Sequence, residues 1–419
     1  MQKIAFLSAR EILDSRGNPT ISVELHLENG SIGIAAVPSG ASTGKYEAVE
    51  LRDEDPSRYR GKGVLKAVHN VEGKIRETIM NKEFDQTSLD KFLIDLDGTE
   101  NKANLGANAI LGVSMAFARA SADAEHQELY EYLNSLIGDT EMKLPQPMFN
   151  VINGGKHADS GLDIQEFMLA PIGFPDFHEK LRVGSEIFHT LADILKERGY
   201  KTSVGDEGGF APELQSNEEA LQLIVEAIEK AGYTIADVKI GLDCAASSFF
   251  NTETKLYDLK IAGEKKNLKS DQLLVWYQEI VDMFPIILIE DAFAEDDWEG
   301  FQKFNKVLGD TITNVGDDLL VTNIKRIEQA IEKNAVNSVL IKLNQIGTVT
   351  ETIDAVRMTK AQGWKPFVSH RSGETEDTFI ADLSVGLACP LIKSGSLSRT
   401  ERICKYNRLM LIEERVLSG

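Results

Sequence analysis

The chain has 419 residues, of which 42% are hydrophobic and 26% charged, an ordinary composition for a soluble globular protein. Its 66 acidic and 45 basic residues give a formal charge of −21, and a surface of this sign repels nucleic acids and anionic membranes. No apolar run approaches the roughly 18 residues of a membrane helix, the N-terminus does not resemble a signal peptide, and the three scattered cysteines do not suggest a disulfide framework. We therefore expect a cytoplasmic protein that binds neither nucleic acid nor membrane.

The first 138 residues predict a small α+β domain. Residues 1–38 indicate a β-meander, because apolar and polar residues alternate along 21–28 and Asn29-Gly30 supplies a tight turn. The small, hydroxyl-rich segment 38–45 fits a solvated linker or a mobile lid, and its composition does not separate the two. Helical periodicity follows to Gly138, and a stiff proline-containing connector comes next. We place the domain boundary between residues 138 and 139.

Residues 139–419 predict an α/β barrel. Two short strands, at 149–152 and 164–170, precede two helices at 176–198 and 217–231. Further apolar segments begin near Ile240, Ile286, Ile312, Ser338, Pro366 and Leu391, and amphipathic helices at 271–284, 297–308, 322–334, 348–362 and 376–388 separate most of them. Repeated strand–helix units predict a parallel sheet with right-handed crossovers. The count of eight strands predicts a closed, modified TIM-like barrel of the form ββαα(βα)6.

Nearly every predicted barrel strand ends in a polar residue, at the rim where the active sites of such barrels lie. The strand ends are, in chain order, Asp243, Glu290-Asp291, Asp317-Asp318, Lys342, Ser369-His370-Arg371-Ser372 and Lys393. Singly, each acid could be a helix N-cap and Lys342 could extend into water. Together, three acids at one rim would repel one another without a cation, and carboxylates are the ligands that Mg²⁺ prefers. We expect a metal on one side of the mouth, an anionic substrate on the other, and Lys342 as a base.

Six stretches match one family closely, namely residues 14–20, 39–44, 163–168, 205–209, 341–347 and 369–376. On these stretches the chain resembles the enolase family, in its bacterial form, over essentially its whole length. The resemblance implies reversible dehydration of 2-phosphoglycerate to phosphoenolpyruvate in glycolysis, with two Mg²⁺ ions in each active site. It also implies a homodimer, or an octamer built from four dimers.

The resemblance implies roles for individual residues as well. Lys342 corresponds to the base that removes the C2 proton, and Glu207 to the acid that protonates the leaving hydroxyl. The implied ligands of the first Mg²⁺ are Asp243, Glu290 and Asp317, and Ser42 would bind the second ion when its loop closes. The implied substrate-binding residues are His157, Gln165, Glu166, Glu290, Asp317, Lys342, His370, Arg371, Ser372 and Lys393.

These roles set two requirements on protonation. Two Mg²⁺ ions with Arg371 and Lys393 should lower the pKa of Lys342, so that a neutral amine is available. Glu207 must carry a proton, and an ionised Glu166 nearby would raise its pKa by repulsion. Asn344 and Gln345 have no role in this scheme beyond support of their neighbours.

Two alternatives to this activity are considered. The chain could be another dehydratase or a lactonising enzyme of the same superfamily, although those would not be expected to combine the 39–44, 205–209 and 369–372 motifs. It could also be a binding protein that has lost the chemistry. Bacterial enolases are reported at the cell surface, without a signal peptide, as plasminogen receptors, in some cases through C-terminal lysines. This chain ends Val416-Leu417-Ser418-Gly419, which argues against that mode.

Overall fold

The N-terminal domain is a four-stranded antiparallel sheet covered by helices. The computed structural model describes residues 1–40, 45–138, 140–158 and 160–418. The strands of the sheet are β1 (Gln2–Leu13), β2 (Pro19–Leu27), β3 (Ile32–Ala36) and the short β4 (Glu83–Phe84). The helices are α1 (Leu65–Asn70), α2 (Arg76–Ile79), α3 (Gln86–Asp97), α4 (Ala107–Ala124) and α5 (Leu129–Ile137). The sequence predicts the meander. It does not predict β4, because a strand of two residues has no recognisable alternation of apolar and polar residues.

Close packing of α4 on the meander depends on Gly33 in β3. A Cβ atom at this position would lie 1.9 Å from the backbone oxygen of Ala116 in α4, so a larger residue would push the helix away. The buried faces of Ile21, Val23 and Leu25 then form a core with α4. The predicted domain boundary falls at residue 139, which lies outside the described residues.

The second part of the chain alternates strands and helices. Its strands are β5 (Gln146–Asn153), β6 (Glu166–Pro171), β7 (Val238–Asp243), β8 (Phe250–Asn251), β9 (Leu256–Ile261), β10 (Glu264–Leu268), β11 (Ile286–Glu290), β12 (Thr313–Gly316), β13 (Ser338–Ile341), β14 (Lys365–Ser369) and β15 (Leu391–Lys393). Its helices are α6 (Phe177–Glu197), α7 (Asn217–Lys230), α8 (Ser270–Met283), α9 (Trp298–Leu308), α10 (Ile324–Lys333), α11 (Leu343–Ile346), α12 (Val349–Ala361), α13 (Phe379–Gly386) and α14 (Thr400–Ser418).

Eight of these strands form a closed barrel in the order β11-β12-β13-β14-β15-β5-β6-β7. Its interior is filled by buried side chains that include Met148, Met168, Leu288, Leu340 and Phe367, so the barrel is a packed core and not a pore. The predicted fold class, a modified TIM-like α/β barrel preceded by a smaller α+β domain, is confirmed.

One barrel strand departs from the parallel arrangement of the strand–helix units. β6 runs antiparallel to both β5 and β7, since the described residues between β5 and β6 include no α-helix of the kind that usually makes a parallel crossover. The N-terminal end of β6 therefore lies at the mouth of the barrel, where the other barrel strands end. In this register Glu166 pairs with Asp243 at the end of β7.

Two further features were not predicted. A three-stranded antiparallel sheet of β8, β9 and β10 follows β7, and its outer strand is exposed and charged at Glu264, Lys265 and Lys266, without the alternation that marks a half-buried strand. Helix α14 closes the described chain. Among the described residues, no helix is both long and apolar enough to cross a membrane.

Candidate active site

One pocket at the mouth of the barrel gathers most of the predicted site residues. Its lining includes His157, Gln165, Glu166, Glu207, Asp243, Asp317, Lys342, His370, Arg371, Ser372 and Lys393. Glu290 joins this group through an ion pair with Lys393. Ser42, predicted as a metal ligand, lies outside the described residues.

Lys393 is the cation around which the acids of the pocket are arranged. Its Nζ lies 3.2 Å from Glu166 Oε1, 3.2 Å from Asp243 Oδ2 and 2.8 Å from Glu290 Oε2. Burial lowers the pKa of Lys393, but these carboxylates more than offset burial and hold the pKa well above its usual value. The expectation that acids and cations occupy opposite sides of the mouth is wrong, because the closed barrel brings the end of β15 within reach of β6, β7 and β11.

The three predicted metal ligands lie at the ends of neighbouring strands. Asp243 ends β7, Glu290 ends β11, and Asp317 directly follows β12. Burial, followed by repulsion from Asp243, raises the pKa of Glu290 well above its usual value. Such crowding of buried oxygen ligands favours a hard cation, and an all-oxygen set is typical of Mg²⁺. The acidic residues at these strand ends could therefore hold a metal ion.

A second acidic group adjoins the first. Asp291, Asp317 and Asp318 offer carboxylate oxygens within 4.8 Å of one another. The Asp291 carboxylate accepts hydrogen bonds from the backbone nitrogens of Asp317 and Asp318, each at 2.8 Å, so it shapes the loop that carries them. Burial and the charge of Asp317 raise the pKa of Asp318 to about 7. Asp291 and Asp318 directly follow the predicted ligands Glu290 and Asp317 in the sequence. The sequence alone does not separate the two acids of each pair, whereas the fold does.

The candidate base, Lys342, follows β13 and contacts Asp317. Its Nζ donates a hydrogen bond to Asp317 Oδ2. Burial lowers the pKa of Lys342, and Arg371 and Lys393 act in the same direction, but the acidic neighbours, Asp317 first and then Glu290, together outweigh them and the pKa is raised. Arg371 and Lys393 thus act in the expected direction, and the protein alone nevertheless keeps Lys342 protonated.

The candidate acid, Glu207, lies in the glycine-rich loop between α6 and α7 and is 2% exposed. It accepts a hydrogen bond from Asn150 Nδ2 at 2.9 Å, and His157 Nδ1 lies 3.2 Å away. His370 Nε2 is 3.6 Å from the other carboxylate oxygen. Arg402 donates to His370 Nδ1 at 2.5 Å, so the proton of the neutral ring lies on Nε2, toward Glu207. Burial lowers the pKa of His370 well below its usual value, which keeps the ring neutral.

Glu166 and Glu207 form a coupled pair of carboxyl groups. Burial, followed by the charge of Glu207, raises the pKa of Glu166 well above its usual value. Burial also acts to raise the pKa of Glu207, but His157, His370 and Arg402 together outweigh burial and the pKa falls well below its usual value. The expectation that Glu166 raises the pKa of Glu207 is wrong, because the fold places His157 and His370 beside its carboxylate. A proton shared by this pair resides on Glu166.

The anion-binding side of the pocket includes residues from the N-terminal domain. Arg371 Nη2 lies 3.1 Å from Glu47 Oε2, and both side chains are buried. Arg16 Nη1 donates to Ser372 Oγ at 3.2 Å. Arg402 donates to the backbone oxygens of Arg371 and Ser372 and so fixes the loop after β14. Sequence reasoning missed Glu47, Arg16 and Arg402, since only the contact between domains and the position of α14 bring them here.

Two family models match nearly the whole chain. The model described as the enolase N-terminal domain matches residues 4–133, and the model described as the enolase C-terminal TIM barrel domain matches residues 141–419. The chain belongs to the enolase family. Enolases are metal-dependent lyases that bind a substrate at the barrel, and the acidic groups of this enolase-family pocket could hold a metal.

Proposed function

We propose that this protein is a phosphopyruvate hydratase, which interconverts 2-phosphoglycerate with phosphoenolpyruvate and water in glycolysis. The observation that carries the proposal is the convergence of Lys342, the Glu166–Glu207 carboxyl pair and the carboxylates of Asp243 and Asp317 in one pocket of an enolase-family chain. Proton removal next to a carboxylate needs a base, an acid for the leaving hydroxyl, and strong electrostatic stabilisation. The pocket holds groups for each task.

The substrate is a phosphorylated hydroxy acid, and two parts of the pocket suit its anionic groups. Arg371 and Ser372 would bind the phosphate, since a guanidinium pairs with phosphate through two parallel hydrogen bonds. Lys393 would bind the substrate carboxylate, together with His157, Gln165 and His370 as polar neighbours. Asp243, Glu290 and Asp317 would hold one Mg²⁺, and Ser42 would take part in holding a second. Bound Mg²⁺ supplies positive charge that stabilises the carboxylate oxygens as they gain negative charge.

In the proposed reaction Lys342 Nζ removes the proton from C2. The amine must first lose its own proton to solvent, and the hydrogen bond to Asp317 keeps Nζ in a fixed position while it does so. Negative charge then develops on the substrate carboxylate, and the ammonium of Lys393 stabilises it. Glu207 donates a proton to the C3 hydroxyl, which leaves as water. Since the shared proton of the pair resides on Glu166, it must first move to Glu207.

Two variants separate these steps. Lys342→Ala should abolish exchange of the C2 proton of 2-phosphoglycerate with solvent deuterium, because it removes the base. Glu207→Gln should lose dehydration by orders of magnitude and keep the exchange, because it removes only the acid. Nuclear magnetic resonance of the substrate in deuterated buffer with Mg²⁺ measures both. Loss of exchange in both variants would contradict this division of roles.

Other parts of the proposal rest on the sequence resemblance. The alternatives within the superfamily lack a phosphate on the substrate, so the Arg371–Ser372 site favours the phosphorylated one. We also propose a bacterial-type enolase that is at least a dimer, or an octamer of four dimers, with a cytoplasmic location and the domain boundary at residues 138–139. Sedimentation analysis distinguishes the dimer from the octamer.

A further inference from the structure

Two successive residues near the pocket adopt an unusual backbone conformation. Val321 has φ +46° and Thr322 has φ +55°, and both are buried in the loop between β12 and α10. Left-handed φ values are unfavourable for β-branched residues, so surrounding interactions must hold them in place. Backbone strain of this kind is concentrated at functional sites. The hydrogen bonds of the Thr322 side chain indicate its role here.

Thr322 connects the candidate base to Gln345. Its Oγ1 accepts a hydrogen bond from the backbone nitrogen of Lys342 at 3.0 Å and donates to Gln345 Oε1 at 2.9 Å. Gln345 Nε2 donates in turn to Asp317 Oδ1 at 2.8 Å. Since Lys342 Nζ contacts the other oxygen of Asp317, the bonds form a closed ring through Lys342, Thr322, Gln345 and Asp317.

The chemistry of the groups fixes the direction of each bond in this ring. An ionised carboxylate only accepts, so the amide nitrogen of Gln345 must face Asp317 and its oxygen must face Thr322. The single hydroxyl proton of Thr322 faces two acceptors, Gln345 Oε1 at 2.9 Å and the backbone oxygen of Leu340 at 3.2 Å, and the contact with Gln345 is the shorter one. The hydroxyl oxygen also accepts the backbone N–H of Lys342. Both side chains are essentially inaccessible, Thr322 at 0% and Gln345 at 1% exposure, so water does not compete for these bonds.

We propose that Thr322 and Gln345 are positioning residues, which together hold the backbone of Lys342 and the carboxylate of Asp317 in one fixed relation. The inference rests on the proposed function, in which Lys342 is the base. The strained conformation of Thr322 is what brings its hydroxyl between Lys342 and Gln345. Gln345, which had no role in the sequence analysis beyond general support, thereby orients the proposed metal ligand.

Thr322→Val tests the hydroxyl, because valine keeps the β-branched shape and the backbone preference. We expect kcat for 2-phosphoglycerate to fall about 10–100-fold, the usual cost of removing a group that orients a ligand or base, with KM changed less than about twofold. Thr322→Ser should restore most of kcat because it returns the hydroxyl. The matched control is Thr359→Val, which removes another fully buried hydroxyl bond, to the Ala355 carbonyl in α12. It should lower the unfolding midpoint without changing kcat.

Gln345→Met gives a measurement that does not depend on turnover. Calorimetric titration with Mg²⁺ alone should show an affinity about 10–100-fold weaker than that of the wild type, since Asp317 loses the hydrogen bond from Gln345 and keeps only Lys342 within this ring. The two substitutions combined should cost less than the product of their separate effects, because each breaks the same ring.

These experiments distinguish a failure of the positioning role from a failure of the proposed function. A folded wild-type protein without activity on 2-phosphoglycerate overturns the proposed function. An active wild type whose Thr322→Val variant keeps wild-type kcat, or loses no more than Thr359→Val does, overturns the positioning role. If Thr322→Val does not fold, unchanged Mg²⁺ affinity in Gln345→Met overturns that role instead.

Discussion

Removal of the Lys393 ammonium should make the stability of the protein depend more strongly on magnesium than that of the wild type. Lys393→Met keeps most of the side-chain volume and deletes the charge shared by Glu166, Asp243 and Glu290, whose oxygens lie between 2.8 and 3.2 Å from Nζ. Leaving a buried charge without its partner costs about 3–5 kcal/mol. We expect the free energy of unfolding to fall by about that amount in chelator.

Magnesium should recover a large part of this loss. Without Lys393 the crowded carboxylates repel one another more, so a bound divalent cation stabilises the folded state more. A ligand present at 100 times its Kd raises the free energy of unfolding by about 2.7 kcal/mol. The loss should also depend on pH. The pKa of Glu290 is raised, first by burial and then by Asp243, so its ionisation opposes folding above that pKa, and protonation at lower pH relieves the repulsion. The loss should therefore be larger at pH 8 than at pH 5.

Urea unfolding followed by circular dichroism, with chelator and with Mg²⁺ at both pH values, measures these differences. Lys405→Met is the matched control. Lys405 is fully buried and pairs with Glu374 at 2.9 Å, outside the residues that line the pocket. The Lys405→Met variant should lose the same free energy of unfolding with and without Mg²⁺. If Lys393→Met behaves as Lys405→Met does, crowding of the carboxylates is not the source of the effect and the reasoning is refuted.

Two further predictions concern the rest of the molecule. Asp377→Asn should lower the free energy of unfolding at pH 7 by about 3 kcal/mol, because Asp377 forms a two-bond ion pair at 2.6 and 2.8 Å with Arg119 of the N-terminal domain. Burial raises the pKa of Asp377, but Arg119 and the backbone hydrogen bonds to its carboxylate together outweigh burial and the pKa is lowered. The difference between wild type and variant in urea unfolding should therefore shrink as pH falls from about 3.9, the ordinary value, to below the lowered pKa. A difference that does not depend on pH would contradict this. Among the cysteines, Cys404 is partly exposed whereas Cys244 and Cys389 are buried, and burial raises the pKa of Cys389 to about 12. Thiol titration of the native protein should therefore modify Cys404 first, and rapid reaction of Cys244 or Cys389 would show that the barrel opens locally.

The barrel could be predicted because its signals are local. Apolar segments followed by polar residues mark strands and their ends, and the fold brings Asp243, Glu290 and Asp317 to neighbouring positions as a barrel requires. The direction of β6 was not predicted, since a short apolar segment reads the same in both directions. Its reversal explains why Glu166, at the start of a strand, lies with residues from strand ends.

The electrostatics of the pocket could not be predicted in the same way. Order along the chain suggested separate acidic and basic sides, whereas Lys393 lies among the acids because side chains cross the mouth of a closed barrel. The pKa of Glu207 depends on His157, which is distant in sequence. Glu47 reaches Arg371 only through the contact of the two domains, and the sequence around Glu47 does not predict that pairing.

The most direct test of the account is the formation of the enol product from 2-phosphoglycerate, followed by its absorbance, with Mg²⁺ and again with excess chelator. The account predicts turnover with Mg²⁺, loss of turnover in chelator, and recovery when Mg²⁺ is restored. Absence of turnover by the folded protein with Mg²⁺ present, or turnover that chelator does not affect, would contradict it.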